Sequence, residues 1–428
     1  MSLRPLSLRK NFAWTLMGNF VYGGSQWGML IIIAKLSTPE MVGRFILALA
    51  VTAPVIMFTN LNLRAVIATD ACKRFFFGEY LGLRVIMTMA ALFVIFCIVA
   101  AADYGLELSM VIMAVATAKA VESISDVLYG LMQQHERMDS ISVSIVIKGF
   151  VSLAALSIGI YLTRNILWGV IGFAVAWTLP LILYDIPRAR SLFTSSSDDA
   201  SAEHGLRAAL LPRFSLIPLK TLALLALPLG VAALLGSLLT NIPRYFIQSA
   251  MGERALGIFG AMSYVIIIGA RIITALGESA SPLLAKYHAS KEERRFTALL
   301  LKTVGIGVLI GAAGIAAALV AGKEILTVLY RAEYAENVNA FVWLMAAAGI
   351  GYAGLFLQYG ITAARDFKVQ PIILLVSMAV LLISCAALIP AYGILGASIA
   401  LVLSSISQFI GNVYATRRII LRLRTEAV

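Results

Sequence analysis

Long apolar runs, each near the length that an α-helix needs to cross the hydrocarbon core of a bilayer, recur along the whole chain. The chain has 428 residues, of which 61% are hydrophobic and only 13% are charged. In a lipid environment each such run must satisfy its own backbone hydrogen bonds, which a helix does. The sequence therefore predicts an all-α polytopic membrane protein with twelve transmembrane helices, at 12–36, 42–60, 80–102, 108–131, 142–162, 167–184, 221–240, 257–276, 297–321, 338–361, 369–389 and 393–414.

The longest polar break in the chain separates the first six predicted spans from the second six. We therefore predict an N-terminal six-helix half over 1–190, a cytoplasmic linker over 191–218 and a C-terminal six-helix half over 219–428. Short matches recur in the same order in both halves, among them Gly169-Val-Ile-Gly172 with Gly393-Ile-Leu-Gly396 and Tyr129-Gly130 with Tyr359-Gly360. The pattern indicates a parallel repeat, with a binding site expected between the halves.

The distribution of positive charge predicts the orientation of the chain. If the N-terminus is cytoplasmic, most of the 34 Lys and Arg residues fall in loops on the cytoplasmic side. This is the bias that sets membrane topology, so both termini are predicted to be cytoplasmic. The net charge of +12 is then explained by short loops between apolar runs, and no nucleic-acid partner is expected.

The fourth predicted span carries an unusual polar stripe. The spacing of Lys119, Glu122, Asp126, Tyr129 and Gln133 alternates between three and four residues, which places all five on one helical face. A charged residue at the centre of a span costs about 2.5–3.5 kcal/mol, so three of them need compensation. Either Lys119 and Glu122 form a self-satisfied pair that helps helices pack, or this face lines a transport path.

Five further polar residues lie within or just after predicted spans of the first half. Asn19, Tyr22 and Gln26 share a face of the first span, where they could bind sugar hydroxyls or join helices through amide hydrogen bonds. Lys148 lies about two turns from the cytoplasmic end of the fifth span. It could anchor the helix at the membrane interface or line a cavity. Arg64, at the end of the second span, leaves the same two interpretations open.

Two charges are predicted within the second half. Arg271 lies too deep in the eighth span to reach the interface easily, and it is predicted to line a cavity. Glu278 follows seven residues later and could pair with Arg271 or Lys148. Glu122 and Asp126 are one helical turn apart, so ionising both is unfavourable and one could exchange a proton. Glu122, Asp126 and Glu278 are therefore the candidates for ion coupling.

Motifs of enzymes and metal sites are missing from the sequence. There is no G-x-x-x-x-G-K-[ST], H-E-x-x-H or G-x-S-x-G pattern, and the three cysteines and three histidines are not spaced as ligands. We therefore predict a transporter rather than an enzyme, with no catalytic residues, no cofactor and no metal.

Several of these stretches carry a family resemblance. They are Gly18-Asn19 with Tyr22 and Gln26-Trp27; Ala34-Lys35-Leu36, Pro39-Glu40, Val42-Gly43 and Phe45; Asn60-Leu-Asn-Leu-Arg64 with Ala68-Thr69-Asp70; and residues 119–134. In these and in its twelve spans the chain resembles the polysaccharide (O-antigen-type) flippases of the multidrug/oligosaccharidyl-lipid/polysaccharide exporter superfamily. The resemblance covers nearly the whole chain.

The resemblance implies a bacterial inner-membrane protein that moves a polyprenyl-pyrophosphate-linked oligosaccharide from the cytoplasmic to the periplasmic leaflet, for O-antigen and lipopolysaccharide biosynthesis. It also implies a V-shaped transporter with a cationic cavity that works by alternating access. Membrane lipids and other membrane proteins of polysaccharide assembly are the further partners to expect. The cations that could bind the pyrophosphate are Lys119, Arg271, Arg64 and Lys148.

Two other functions remain open at this point. A drug or cation antiporter of the same superfamily would share the architecture, although intramembrane cations do not suit a cationic cargo. A membrane-embedded glycosyltransferase or polymerase component would normally carry a large loop outside the bilayer, and the predicted loops on the far side are short.

Overall fold

A computed structural model describes residues 8–70, 74–194, 211–366 and 368–426, and it is helical through nearly all of them. The elements are α1 Leu8–Leu36, α2 Pro39–Thr59, α3 Leu63–Thr69, α4 Phe77–Ala101, α5 Leu106–Gln134, α6 Met138–Thr163, α7 Ile166–Pro180, a π-helical turn Leu181–Asp185, α8 Ile186–Thr194, α9 Leu216–Ala289, α10 Glu293–Leu329, α11 Ala332–Ala335, α12 Val338–Ala363 and α13 Val369–Glu426.

The predicted number of spans agrees with these elements. Nine helices in the described part of the chain are long and apolar enough to cross a membrane. Three of them, α9, α10 and α13, contain a backbone break. The breaks in α9 and α13 leave two long segments each, whereas the break at Ala321 in α10 separates only the last turns, 322–329, so α10 counts as one span. Together with α1, which precedes them, the nine helices give twelve segments, as the sequence predicts.

Glycines make the breaks in α9 and α13 possible. Gly252 has a φ of 79° and Gly393 a φ of 58°, values in the left-handed region that residues with a side chain rarely adopt. Gly252 divides α9 into segments 216–251 and 253–289, and Gly393 divides α13 into 369–392 and 394–426. Each glycine thus separates two consecutive spans.

The chain forms two compact units, Met1–Ser237 and Leu238–Val428. The predicted second half begins earlier, at 219, whereas the first turns of α9 belong to the first unit. The reason is apolar packing: Leu219, Leu222 and Ala226 are buried in a cluster with residues of α3, α4 and α5. Of the predicted linker 191–218, residues 195–210 lie outside the described residues.

The sixth span of each half packs closely against the fifth through glycine. A Cβ on Gly172 would lie 3.0 Å from the carbonyl oxygen of Ala155, and a Cβ on Gly396 would clash with the carbonyl oxygen of Leu388. The two glycines belong to the repeated Gly-x-x-Gly motifs. The same close helix contact in both halves supports the predicted repeat.

The described end of the predicted linker is fixed to the start of α4. The backbone N–H of Arg213 donates to the carbonyl of Gly78 over 2.8 Å, and the Arg213 guanidinium lies 4.6 Å from the centre of the Phe76 ring. A Cβ on Gly82 would collide with the Arg213 backbone. Glycine at these positions allows the two segments to touch.

We expect Gly82→Ala to lower the free energy of unfolding by about 1–3 kcal/mol, because the added methyl group must displace the backbone at Arg213. Thermal unfolding of the purified protein in detergent measures the change. Gly305→Ala is the matched control, since a Cβ there meets nothing within 4 Å. A Gly82→Ala protein that melts with wild type would contradict the contact.

Candidate functional site: a polar network around α5

Helix α5 positions most of the polar groups predicted from the sequence. It packs against α2, α3, α4 and α7 within the first unit. Its apolar side is buried, with Val111, Val115 and Val127 fully enclosed. The polar stripe on the remaining side meets charged or hydrogen-bonding residues of the neighbouring helices at successive levels. Three connected groups result, which we call the lysine–glutamate pair, the arginine cluster and the buried ring.

The lysine–glutamate pair joins α5 to α1 and α7. Lys119 Nζ lies 2.6 Å from Glu122 Oε2, and Tyr22 OH donates to Glu122 Oε1 over 3.1 Å. Lys119 Nζ also lies 5.5 Å from the centre of the Trp177 ring, a cation–π contact. The side chains of Lys119 and Glu122 remain 22% and 32% exposed. The pair is thus formed but still open to a ligand or to water.

The arginine cluster lies about one turn further along α5. Asp126 Oδ2 is 3.4 Å from Arg84 Nη2, and Asp126 Oδ1 is 3.8 Å from Arg64 Nη1. Arg84 also donates to Asn60 Oδ1, and Arg64 Nε donates to Gln133 Oε1 over 3.0 Å. Two guanidinium groups share one carboxylate, so the cluster carries an excess positive charge.

The two arginines of this cluster differ in access. Arg84 is fully buried, with no exposed side-chain surface, whereas the Arg64 side chain is 29% exposed. Arg64 also lies over the Tyr129 ring, 5.7 Å from its centre. A planar guanidinium held in this way can still present N–H groups to an anion. Arg64 is therefore the accessible cation of the cluster, while the buried Arg84 contacts the same Asp126 carboxylate.

The buried ring surrounds Lys148. Its Nζ donates to Asp185 Oδ2 at 2.6 Å, to Ser125 Oγ at 2.6 Å and to Tyr129 OH at 2.8 Å, which uses all three of its protons. Ser144 Oγ donates to Asp185 Oδ1, so Tyr129 OH, 2.7 Å from Ser144 Oγ, must donate to that oxygen. The hydrogen bonds close a cycle through Lys148, Tyr129, Ser144 and Asp185.

This burial changes the interpretation of Lys148. An interface anchor or a cavity cation would expose its ammonium group to water, but Lys148 is 1% exposed and Asp185 is 0% exposed. An unpaired charge at this depth would be very costly, and the carboxylate provides the compensation. Lys148 therefore joins α6 to α5 and α7 as part of a fully satisfied ion pair.

A π-helical turn places Asp185 in the ring. The Ile186 N–H donates to the carbonyl of Leu181, five residues back, instead of the four of an α-helix. Pro180 and Pro187 flank the turn and lack backbone donors, which weakens the α-helical pattern on both sides. Such turns occur frequently at functional sites.

Buried donors at this site have no hydrogen-bond partner among the described residues. They are Gln26 Nε2, Arg84 Nε and Trp177 Nε1. An unsatisfied buried donor costs about 1–3 kcal/mol, so a water molecule or a ligand oxygen is expected at each. Gln26 is partly buried on α1. Asn19, about two turns earlier on the same helix, is exposed.

The remaining predicted residues lie in the second unit. Arg271 and Glu278 are both exposed on segment 253–289, and neither forms an ion pair with any described residue. The Arg271–Glu278 pairing that the sequence left open is not formed, and Lys148, the other candidate partner of Glu278, pairs with Asp185. Exposure suits a role in ligand contact, but these two residues are not part of the network around α5.

Six residues of the network were not predicted from the sequence as site residues: Asn60, Arg84, Ser125, Ser144, Trp177 and Asp185. Arg84 stands alone within the apolar run of α4, and Asp185 ends the apolar run of α7. The signal for Asp185 was the buried lysine itself, which needs a carboxylate partner in a membrane. The sequence does not show that the two residues meet, since it places Asp185 just after the sixth predicted span and Lys148 within the fifth.

Comparisons with known proteins identify the family. A family profile described as "Polysaccharide biosynthesis protein" matches residues 8–288. The chain is 27% identical over 410 residues to "Capsular polysaccharide biosynthesis protein CapF" of Staphylococcus aureus, with 96% of this chain and 99% of the relative covered.

Solved structures of similar fold are transporters. An inward-facing multidrug resistance MATE family transporter of the MOP superfamily has a TM-score of 0.74 at 15% identity, covering 97% of this chain and 100% of the other. The lipid II flippase MurJ in an inward closed conformation has a TM-score of 0.70 at 10% identity, covering 96% and 89%. The predicted family and the fold of two six-helix bundles are confirmed. The chain is a multi-pass membrane protein that belongs to the polysaccharide biosynthesis protein family and has the fold of the multidrug/oligosaccharidyl-lipid/polysaccharide exporter superfamily.

Proposed function

We propose that this protein is a flippase that moves a polyprenyl-pyrophosphate-linked oligosaccharide from the cytoplasmic to the periplasmic leaflet of the bacterial inner membrane, by alternating access. The observation that carries the proposal is the presence of two partly exposed cations, Arg64 of the arginine cluster and the neighbouring Lys119, within membrane-spanning helices. Fixed cations in a medium of low dielectric constant bind a pyrophosphate strongly.

The proposal assigns different roles to the cations. Arg64 and Lys119 are partly exposed and would contact the pyrophosphate, and Arg271 is a third candidate because it is exposed in the second unit. Lys148 and Arg84 are buried, so they would position Tyr129 and Asp126 instead of touching the cargo. Gln26 would donate to a sugar hydroxyl, which suits its amide nitrogen without a partner among the described residues, and Tyr22, whose proton is used on Glu122, would accept from one.

The proteins that this chain is similar to support a role in transport over a role in catalysis. The similar structures are those of a multidrug resistance transporter and of a lipid II flippase, and the relative from Staphylococcus aureus is named for capsular polysaccharide biosynthesis. A glycosyltransferase or polymerase role has no comparable support. The surface polysaccharide served by this chain could be a capsule or an O-antigen, which both use a lipid-linked repeat unit as cargo.

A leaflet-accessibility assay tests the function. Purified protein is placed in liposomes with a fluorescent polyprenyl-pyrophosphate sugar, and the fraction of label reached by a membrane-impermeant quencher is followed over time. We expect label to cross only in vesicles that contain the protein. Label that stays in its original leaflet, together with export of a cationic dye from the same vesicles, would favour the antiporter and contradict the flippase.

Glu122, Asp126 and Glu278 are proposed as the carboxylates that couple transport to protons. Of these three, Glu122 is the carboxylate whose protonation would directly affect a proposed cargo-binding cation, because it pairs with Lys119. A proton on Glu122 would release the Lys119 ammonium for the pyrophosphate. We expect Glu122→Gln to flip lipid at a rate that no longer responds to an imposed pH gradient, while wild type responds. Glu333→Gln, at an exposed ion pair with Arg254 in the second unit, is the control that should keep the wild-type response.

A further inference from the structure

The last turns of α13 have two unlike faces. Ala415, Ile419 and Leu423 are four residues apart, and they are between 1% and 4% exposed in an apolar cluster with residues of α10 and α12, including Phe296 and Ile361. This packing fixes the rotation of the helix. The opposite face must therefore point away from the protein.

The outward face forms a groove of about 400 Å³. Its lining residues are Tyr414, Arg417, Arg418, Leu421, Arg422 and Thr425. They form two rows with four-residue intervals, Tyr414, Arg418 and Arg422 in one and Arg417, Leu421 and Thr425 in the other, and the two rows share one helical face. Tyr414 and Leu421 are 70% and 50% exposed, so apolar and basic side chains alternate along an open surface.

The positive charge of this groove is not balanced by any acidic residue that the structure describes. Among the described residues, Arg417, Arg418 and Arg422 have no acidic partner. The nearby Arg424 does have one, since its Nε lies 3.0 Å from Glu293 Oε1, and Arg295 Nη1 lies 2.7 Å from Glu292 Oε2. Carboxylates are thus used to neutralise neighbouring arginines but not those of the groove.

The position of the groove indicates the kind of anion that binds there. It begins at Tyr414, where the apolar span of segment 394–426 ends and the arginines begin. Tyrosine is typical of the membrane–water interface, and clustered basic residues directly beside a span attract anionic lipids. Guanidinium groups bind a phosphate diester through paired hydrogen bonds, while leucine contacts an acyl chain.

We propose that this groove is a binding site for an anionic phospholipid of the surrounding bilayer. The headgroup phosphate is held by Arg417, Arg418 and Arg422, and the upper parts of the acyl chains lie against Tyr414 and Leu421. The site is distinct from the network around α5 and does not depend on the transport proposal. It fixes the depth of the second unit at one membrane surface.

Native mass spectrometry of the full-length protein in detergent tests the site, with phosphatidylglycerol as the anionic lipid and phosphatidylcholine as the neutral one. We expect wild type to retain phosphatidylglycerol in preference to phosphatidylcholine. The triple variant Arg417→Gln/Arg418→Gln/Arg422→Gln should bind phosphatidylglycerol at least about tenfold more weakly than wild type. The reason is that each basic residue at the membrane surface adds to the affinity for an anionic lipid. If the triple variant loses thermal stability, Arg418→Gln alone should show a smaller loss in the same direction.

The matched control removes three positive charges beside the groove: Lys291→Gln/Arg294→Gln/Arg295→Gln, all exposed residues around the start of α10. It should retain wild-type lipid binding. An equal loss in both triple variants would mean general charge attraction and would overturn the site. So would equal retention of the two lipids by wild type. Displacement of phosphatidylglycerol by inorganic phosphate at similar concentration would identify a soluble-anion site and overturn the lipid assignment.

Discussion

Replacing Lys148 with methionine is expected to lower the free energy of unfolding by about 3–5 kcal/mol, the usual cost of removing one partner of a buried ion pair. The substitution leaves the Asp185 carboxylate without a counter-ion at 0% exposure. It also removes the donor that Ser125 and Tyr129 accept from. Unfolding of the purified variant in detergent, by heat or by a denaturing detergent, measures the loss.

A double variant separates the ion pair from the volume change. Lys148→Met combined with Asp185→Asn removes both charges but keeps an oxygen that Ser144 can donate to. We expect the double variant to recover most of the lost stability, because a buried pair replaced by neutral groups is often close to neutral in free energy. A single variant as stable as wild type would show that the pair does not form.

The second large effect is expected at Arg64. Arg64→Gln should weaken binding of a polyprenyl-pyrophosphate sugar by about tenfold to a hundredfold, since a hydrogen bond to a charged group contributes about 1.5–3 kcal/mol. The fold should persist, because the Arg64 side chain is 29% exposed and Asp126 keeps its contact with Arg84. Binding to the purified protein and the initial flipping rate in liposomes measure the change.

The control for Arg64→Gln is the same substitution at Arg254, whose ion-pair partner lies outside the network around α5. Arg254 pairs with Glu333 over 2.9 Å and is 58% exposed, so Arg254→Gln removes the same charge. We expect Arg254→Gln to bind and move the lipid as wild type does. If Arg64→Gln binds the cargo with wild-type affinity while remaining folded, Arg64 is a structural partner of Gln133 and the proposed contact with the pyrophosphate fails.

The sequence predicts the polar stripe of α5 well because a helix has a fixed period. Once residues 106–134 are helical, the intervals between Lys119 and Gln133 decide which side chains share a face. The lysine–glutamate pair has the same origin, since its members are three residues apart. Local spacing is therefore enough for groups that one helix brings together.

Partners on other helices could not be predicted in this way. Asp185 lies 37 residues from Lys148 along the chain, and Arg84 lies 42 residues from Asp126. Such pairs depend on how helices cross and rotate, which the hydrophobic pattern does not specify. The predicted division at 219 differs from the observed units for a related reason: the apolar residues of α9 show that a segment is buried, but they do not show which neighbour buries it.

The π-helical turn before Asp185 carries a consequence for the phase of the helix. One residue more than an α-helix needs is accommodated there, so everything that follows is rotated by about 100° relative to an uninterrupted helix. Deleting Ile182 would restore the regular pitch and leave Asp185 at the same angle to Lys148, because the extra residue is the one removed. Inserting one residue into the apolar stretch before the turn would instead rotate Asp185 by about 100° and break a charge pair that the insertion does not touch, so the register of the chain is as much a part of the site as its side chains.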